Sequence, residues 1–478
     1  MDMLQIKKGK IISRSGAPVS LKGACVGGWM NMENFINGYP GSESGIRSAV
    51  AEVLGVDTAE FFFDRMLDNM LSEDDIRFMA ECGATVVRLP LNYRHFEDDQ
   101  KPFVYKNEGF KRLERVLGWC EKYGVYAILD LHSVQGWQNT DWHCDNDSNH
   151  TYFWNDPHFI DRYLSLWEAL ADRYKDNPTV AGYDVMNEPL CNSWRGKFTS
   201  PERYRPDWAK INTVYRRVVK AIRAIDPHHI IFLEGDYFAS RFLGFDEPFD
   251  DNLAYSSHNY NRAGFGPGSY PGIEDNVLLN MDSQEKEFMN HEGTRFTEKY
   301  HVPLWVGEFG AVYNGPSGEI ADRLRALDDQ ITAFENHGAH WTTWTYKDVG
   351  VMGWVQLDPE SDYMQIVRRE LEAKRLLDTD QWMSWLPDTA AKDIIRSLSR
   401  YIAETVGDDK IETEALYANL KQNALCGYAA TLMQPSYAAL FRGMSESRID
   451  EVMQSFALKN CVVNRGLVDM LKKHMKRE

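Results

Sequence analysis

Two glutamates end apolar runs of the chain, Glu188 in the segment VMNEP and Glu308 in the segment VGEFG. Opposed carboxyl groups, one protonated and one ionised, are what cleavage of a glycosidic bond requires. The protonated group gives its proton to the leaving oxygen, and the ionised group attacks the anomeric carbon. If the fold places these two side chains opposite each other, they can perform this chemistry.

Polar residues also stand at the ends of the apolar runs, where a strand with a purely structural role would not need them. They are Arg88, Asp130, His132, Asn187, Glu234, Asp236, His258, Tyr260, Trp344, Lys347 and Asp348. Any one of them is explained by a salt bridge at the rim of a sheet. Their recurrence at successive run ends instead predicts one shared site.

Potential metal ligands cluster in one part of the chain, but their spacing matches no recognised metal site. They are His132, His143, Cys144, Asp145, His150 and His158. The chain also lacks a GxSxG motif, and its glycine-rich residues 264–272 lack the strand-to-helix context of a phosphate-binding loop. We therefore predict no metal and no cofactor.

Eight apolar runs, separated by amphipathic stretches, must position these residues. The runs cover residues 19–29, 85–90, 126–132, 180–189, 230–236, 252–260, 303–310 and 340–348. Near-continuous apolar character is typical of strands buried on both faces of a parallel sheet. Eight strand–helix repeats predict a (β/α)8 barrel, whose functional residues stand at the carboxyl ends of its strands. A doubly wound open sheet is the alternative, and the lack of GxGxxG and Walker motifs disfavours it.

The predicted barrel brings the two glutamates together. Glu188 ends the fourth run and Glu308 ends the seventh, and strands four and seven lie nearly opposite across an eight-stranded barrel. Their carboxyl groups are therefore expected about 5–5.5 Å apart, the separation that glycosidic cleavage with retained configuration uses.

Capping residues predict where several helices begin and end. Ser72 and Gly83 bound one predicted helix, and Asp156 with Pro157 opens another that Pro178 stops. Amphipathic helices of this kind are expected to cover the outside of the barrel.

Beyond about residue 375 the strand-like runs cease and helical spacing dominates. One predicted helix ends at Gly407, and Ser447 is expected to cap another. The chain is therefore predicted to consist of a barrel with an N-terminal β-hairpin over residues 1–374 and an α-helical extension over residues 375–478.

Composition narrows the classes of partner. The 478 residues carry a formal net charge of −18, which disfavours nucleic acid and anionic membranes as partners. Aromatic residues make up 13% of the chain, and their flat rings suit the apolar faces of sugars.

No run is apolar enough to cross a membrane. The first residues do not resemble a secretory signal, and the seven cysteines form no CxxC pair, so a cytoplasmic location is expected. The oligomeric state stays open.

Six short motifs together resemble glycoside hydrolase family 5, a family of retaining (β/α)8 glycosidases. In chain order they are VRLP with Arg88, DLH with His132, MNEP with Asn187 and Glu188, HNY with His258 and Tyr260, GEFG with Glu308, and WTTWTYKD with Trp344. The resemblance spans residues 85 to 348, and it implies a β-linked glycoside or oligosaccharide as substrate.

The resemblance also implies roles for the residues of these motifs. Glu188 corresponds to the general acid/base, which needs a raised pKa, and Glu308 to the nucleophile. Arg88 and Tyr260 would orient Glu308 and favour its ionised form. Asn187 would bind the sugar 2-hydroxyl. His132 and His258 would hold hydroxyls or the two glutamates, and Trp344 would form the floor of the reacting subsite.

Two further segments are similar to the exo-acting branches of the family, which cleave β-1,3-glucans, glycosylated lipids and other glycosides. They are GGWMNMEN at residues 27–34 and DLHSVQGWQNTDWHCDN at residues 130–146, with Gln135 where those branches usually carry proline. By this resemblance Glu33 would bind hydroxyls at the non-reducing end. Trp29, Trp137 and Trp142 are candidate walls of sugar subsites, and core packing explains them equally well.

The sequence thus favours a retaining β-glycosidase that acts on chain ends or on short substrates. An endo-β-glucanase or endo-β-mannanase with an open cleft is the alternative. A non-catalytic carbohydrate-binding barrel and a zinc hydrolase are more distant alternatives. The sugar in the reacting subsite, gluco or manno, is not determined by the sequence.

Overall fold

In the computed structural model, which describes residues 1–193, 204–274, 276–380, 389–407 and 412–476, eight parallel strands close into a barrel. Each strand pairs with its neighbours in chain order, and the eighth pairs with the first. Strands β1 to β8 are Lys22–Cys25, Val86–Asn92, Tyr126–Ser133, Val180–Asp184, Ile230–Glu234, Leu253–His258, Leu304–Glu308 and His340–Thr343. All eight predicted runs contain a barrel strand, so the (β/α)8 prediction is confirmed.

Apolar side chains fill one end of the barrel and polar side chains fill the other. At the amino ends of the strands a compact apolar cluster forms around Phe232 and Trp305, whose ring centroids lie 4.9 Å apart. At the carboxyl ends the buried residues are charged, among them Arg88, Asp130 and Glu234. Close packing at the first end leaves the second as the face where a ligand can bind.

Amphipathic helices cover the outside of the barrel. Up to residue 377 the longer helices are Glu43–Leu54, Val56–Met70, Glu73–Cys82, Asn107–Tyr123, Pro157–Tyr174, Trp208–Arg223, Met281–Asn290, Glu292–Tyr300, Ile320–Asn336 and Asp362–Leu377. Two of them begin where their caps predict, after Ser72 and at Pro157, and Gly83 ends the first in a left-handed conformation with φ 100°.

Short strands outside the barrel pair locally. Leu4–Lys7 and Lys10–Ser13 form an N-terminal hairpin, and two further pairs join Glu97–Asp98 to Lys101–Tyr105 and Gly272–Glu274 to Val277–Leu279. A three-stranded sheet unites Lys347–Asp348, Val355–Leu357 and Cys461–Val463. The last of these strands lies in the extension, where the sequence indicated only helices.

The C-terminal part of the chain packs against the barrel through helices. They are Ala390–Val406, Thr413–Leu420, Ala430–Ala439, Glu446–Met453 and Arg465–Met475, and Lys421–Ala429 is π-helical. The predicted cap Ser447 is wrong: Ser445 caps this helix because its hydroxyl accepts from the Arg448 backbone N–H, and Ser447 lies within the first turn. Helix Asp362–Leu377 crosses the boundary predicted at 374/375, and the division into two domains stays a prediction.

None of the helices in the described ranges combines the length and the apolar character needed to cross a bilayer.

Candidate active site

The two glutamates meet at the carboxyl ends of the barrel strands. Glu308 is the last residue of β7, and Glu188 follows the end of β4 by four residues. An oxygen of Glu188 and an oxygen of Glu308 lie within 4.8 Å of each other. Retaining glycosidases place their carboxyl groups about 5–5.5 Å apart, whereas inverting ones need about 6.5–9.5 Å to admit water. The predicted short separation is confirmed.

Glu308 is held by an arginine and a tyrosine, as the motifs imply. A guanidinium nitrogen of Arg88 donates to one carboxylate oxygen, and the Tyr260 hydroxyl donates to the other at 2.9 Å. These contacts fix the orientation of the carboxylate, and the hydrogen bonds to Arg88 are stronger when Glu308 is ionised.

Arg88 itself lies at the centre of a buried group of acids. Its Nη2 atom is 3.1 Å from Asp130, 3.0 Å from Asp184 and 2.9 Å from Glu234, and all of these side chains are fully buried. Burial and the neighbouring Glu234 carboxylate raise the pKa of Asp184 well above its usual value. The raised pKa favours the protonated form of Asp184, which lessens the negative charge that Arg88 must balance.

Glu188 contacts two imidazoles. His258 Nδ1 is 2.7 Å from its Oε1, and His143 Nε2 is 3.1 Å from its Oε2. The backbone N–H of Glu188 donates to Glu234 at 2.7 Å, and its φ of 45° places it in the left-handed region, which is strained for a residue with a Cβ. The surrounding contacts therefore impose the direction of this side chain.

The predicted raised pKa of Glu188 is wrong for this arrangement. Burial by itself raises the pKa of the carboxyl, but the hydrogen bonds and positive charge of His143 and His258 outweigh burial and lower it below the usual range. In return, nearby carboxylates raise the pKa of both histidines, although burial opposes this. These shifts favour the ionised form of Glu188 and the protonated form of the imidazoles beside it.

A second histidine–carboxylate chain forms the adjoining wall. His132 Nδ1 is 2.7 Å from Asp130, and its Nε2 is 3.3 Å from Glu33. Burial opposes the charged form of His132, but these carboxylates raise its pKa to about 10. The Trp344 ring stacks on the imidazole, with centroids 5.4 Å apart and planes 6° from parallel. Glu33 and Trp344 both line the cavity above the two glutamates.

Comparison with known proteins identifies the family. The family model Cellulase (glycosyl hydrolase family 5) matches residues 50–350. The chain belongs to glycoside hydrolase family 5. A β-xylosidase of Phanerodontia chrysosporium is 37% identical over an alignment of 495 positions that covers 98% of each chain. Endoglucanase C of Acetivibrio thermocellus is 27% identical over 322 residues, covering 60% of this chain and 87% of the endoglucanase.

A solved structure supports the fold alone. The crystal structure of a glycoside hydrolase aligns with a TM-score of 0.51 at 18% identity, covering 74% of this chain and 99% of the other. With the family established and the glutamates close together, the protein is a retaining family 5 glycoside hydrolase that acts on β-linked glycosides.

The remaining predicted site residues do not all face the family 5 cavity. Asn187 lies behind the glutamates, where its Oδ1 accepts from Arg88 at 2.8 Å and its Nδ2 is 3.3 Å from His132. Trp29 is fully buried in the core and does not line the cavity. Trp137 also lies outside the cavity lining, tilted against Tyr152. Trp142 does line the cavity.

The cavity has a volume of about 540 Å³ and includes residues for which the sequence gave no catalytic signal. In the sequence His143 stands out only as a potential metal ligand, Asp141 has no assigned role within residues 130–146, and Phe238 belongs to no motif. Tyr417, Lys421 and Gln422 come from the C-terminal part of the chain. Only the fold brings that part to the catalytic face, so no local pattern identifies these three.

Replacing Arg88 with methionine is expected to destabilise the protein and inactivate it. Four buried carboxylates would lose their shared cation, and removing one partner of a buried ion pair costs about 3–5 kcal/mol. Denaturant unfolding measures the loss, with Arg217→Met as a control because its pair with Asp161 is exposed and is worth about 1 kcal/mol or less. Equal stability of the two variants would contradict the assignment of Arg88 as the cation that holds the acids together.

Proposed function

We propose that this enzyme is an exo-acting β-glycosidase that cleaves short β-linked oligosaccharides or glycosides by double displacement. The observation that carries the proposal is the shape of the site, because both glutamates open into a single cavity of about 540 Å³. That volume lies within the range of about 300–1,000 Å³ typical of small-molecule sites. Glu33 and Trp142 line it, and they belong to the two segments that are similar to the exo-acting branches of the family.

In the first step, Glu308 attacks the anomeric carbon while Glu188 protonates the leaving oxygen. The C–O bond to the leaving group breaks, and a glycosyl ester forms on Glu308. Arg88 and Tyr260 hold the attacking carboxylate. Trp344 provides the floor beneath the sugar.

The imidazoles beside Glu188 determine how it becomes an acid. His143 and His258 carry protons within hydrogen-bonding distance of both of its oxygens. A proton shared along either contact reaches Glu188 as negative charge develops on the leaving oxygen, which favours transfer in the transition state. In the second step, Glu188 removes a proton from the water that hydrolyses the ester.

β-Xylosides are the proposed first substrates. The relative called a β-xylosidase matches this chain over 98% of both lengths, including the C-terminal part. The match to endoglucanase C is restricted to 60% of the chain. A xyloside also lacks the 6-hydroxymethyl group, so it needs less room in a closed cavity. The cytoplasmic location stays a prediction.

An endo-acting glycanase is the second candidate, favoured by the similarity to endoglucanase C. An endo enzyme has to admit an internal segment of a polymer, which needs a cleft open at both ends. The two candidates therefore differ in the size of their first products.

Product size over time is expected to show exo action. On soluble β-xylan or β-glucan, early release of only mono- or disaccharide is expected, with little loss of viscosity, because a site that takes one or two sugar units excludes internal segments of a polymer. The enzyme is also expected to cleave nitrophenyl β-xyloside, with Glu308→Ala as an inactive control. A rapid fall in viscosity with mixed oligosaccharides would move the endo-glycanase to first place.

A further inference from the structure

The C-terminal part of the chain forms one side of the catalytic cavity. Helix Thr413–Leu420 and the π-helical Lys421–Ala429, together called the C-terminal wall, contribute Tyr417, Ala418, Lys421 and Gln422 to its lining. We propose that this wall is a substrate-binding element: Lys421 and Gln422 bind hydroxyls of the uncharged sugar next to the reacting one. The proposal rests on the proposed function and specifies which part of the chain limits substrate length.

The helix that follows the wall anchors it to the rest of the fold. Helix Ala430–Ala439, which follows it, packs on helix Glu43–Leu54 near the catalytic face. Gln434 donates to the Pro40 carbonyl at 3.1 Å, and the hydroxyls of Tyr437 and Tyr363 lie 2.7 Å apart. These side chains are buried, so the wall is held in a fixed place over the barrel.

Lys421 is oriented by a buried aspartate that precedes the wall. Its Nζ is 2.7 Å from Asp378, and Lys392 shares the same carboxylate at 3.5 Å. Burial disfavours the ammonium, but Asp378 outweighs it and raises the pKa of Lys421. The ammonium carries three N–H donors and is held beside Asp378 as an ion pair. Lys421 also lines the cavity, which leaves it donors for a sugar oxygen there.

Gln422 joins the wall to the loop that follows β3. Its side chain lies beside the Asp141 carboxyl group and acts to lower the pKa of that group, against the larger effect of burial. Both residues line the cavity. Gln422 and Trp142 also line a second, smaller hollow, so together they separate it from the catalytic cavity. The cavity is therefore closed on this side by contacts between distant parts of the chain. π-Helical turns are rare and occur frequently at functional sites, which agrees with a binding role for Lys421–Ala429.

Charge and placement indicate what the wall binds. Glu33, Asp141, Glu188 and Glu308 all line the cavity and disfavour an anionic sugar. Among the described lining residues, Lys421 is the one lysine, and with the Gln422 amide it offers donors to hydroxyl oxygens. Residues of the barrel surround the glutamates and so take the reacting sugar. The C-terminal wall is therefore expected to bind the neighbouring sugar, which is uncharged.

The test compares substrates that have one and two sugars. Lys421→Met and Gln422→Ala are assayed on nitrophenyl β-xyloside, nitrophenyl β-xylobioside and xylobiose, and on the matching glucosides. Loss of one hydrogen bond to substrate corresponds to about a tenfold fall in kcat/KM. We expect this fall on at least one two-sugar substrate and a change of less than about threefold on the monosaccharide.

Two further variants separate binding from folding. Ala418→Trp fills the cavity from the wall without removing a contact, and it is expected to reduce cleavage of two-sugar substrates only. Glu414→Gln lies on the same helix, is exposed and does not line the cavity, so it should change neither activity nor melting temperature.

The outcomes distinguish this proposal from the proposed function. Equal losses on one- and two-sugar substrates, or none for all three wall variants, would refute the wall as a binding element. Rapid internal cleavage of polymer by the wild type, together with selective losses in the wall variants, would instead refute exo action and leave the wall as a binding site.

Discussion

The Glu308→Ala substitution is expected to abolish turnover, with a fall in kcat on the order of 10⁴-fold or more. Glu308 is the proposed nucleophile, and it is fixed between Arg88 and Tyr260 with an oxygen within 4.8 Å of Glu188. Without its carboxylate no glycosyl ester can form at this position. Initial rates on nitrophenyl β-glycosides measure the loss, because their leaving group needs no protonation.

A covalent readout makes this prediction specific to the nucleophile. Mass spectrometry after a 2-deoxy-2-fluoro glycoside should find the sugar on the peptide that contains Glu308 in the wild type, and on no peptide of the variant. Glu298→Ala is a suitable control, since this glutamate is exposed on a surface helix and should keep full activity. A labelled peptide in the Glu308→Ala protein would overturn the assignment.

The barrel and the catalytic pair could be predicted from the sequence because both depend on local signals. Strands buried on two faces must be nearly continuous in apolar character, and each predicted run contains a strand. The residue that ends such a run is then placed at the catalytic face by the fold itself. Glu188 and Glu308 therefore had defined positions before any contact was known.

The tryptophans show where local signals fail. An indole ring suits a sugar subsite and a packed core equally well, so its type does not decide between them. Trp29 is fully buried, whereas Trp142, which stands in a loop, lines the cavity. The difference arises from how the loops pack, which the spacing of the tryptophans along the chain does not reveal.

The C-terminal wall depends on contacts across an even greater distance in sequence. Gln422 lies beside Asp141, and Lys421 pairs with Asp378, but no motif links these residues. Helical spacing alone predicts that the segment is helical and gives no information about which face of the barrel it covers. The position of the C-terminal wall, which is proposed to limit substrate length, was therefore the feature that the sequence predicted least well.

The protonation of Glu188 also depends on contacts with residues that are distant in sequence. Its pKa was expected to be raised because a carboxyl acid must hold a proton near neutral pH. The structure instead places His143 and His258 beside it, and these imidazoles lower its pKa while their own pKa values rise. In the proposed mechanism the proton reaches the leaving oxygen through Glu188, so the Glu188→Ala substitution removes its path.

The Glu188→Ala substitution is therefore expected to slow cleavage by an amount that depends on the leaving group. Substrates with alkyl or sugar leaving groups should lose about 10²–10⁴-fold in kcat/KM, since their oxygen must be protonated as the bond breaks. Nitrophenyl glycosides should lose much less in the first step, because nitrophenolate leaves unprotonated. Hydrolysis of the ester also slows without its base, so the glycosyl-enzyme should accumulate and produce a burst of nitrophenol.

Azide distinguishes the two glutamates by the configuration of the product. With Glu188→Ala, azide fits the space left by the carboxylate and needs no base, so it should restore the rate and give a β-glycosyl azide. With Glu308→Ala, any rescue must come from the opposite face of the sugar and give the α-azide. A β-azide from the Glu308 variant, or uniform loss on all leaving groups in the Glu188 variant, would contradict the assigned roles. The expected pair of products would place the nucleophile on β7 and the acid at the end of β4, on opposite sides of the bond that breaks.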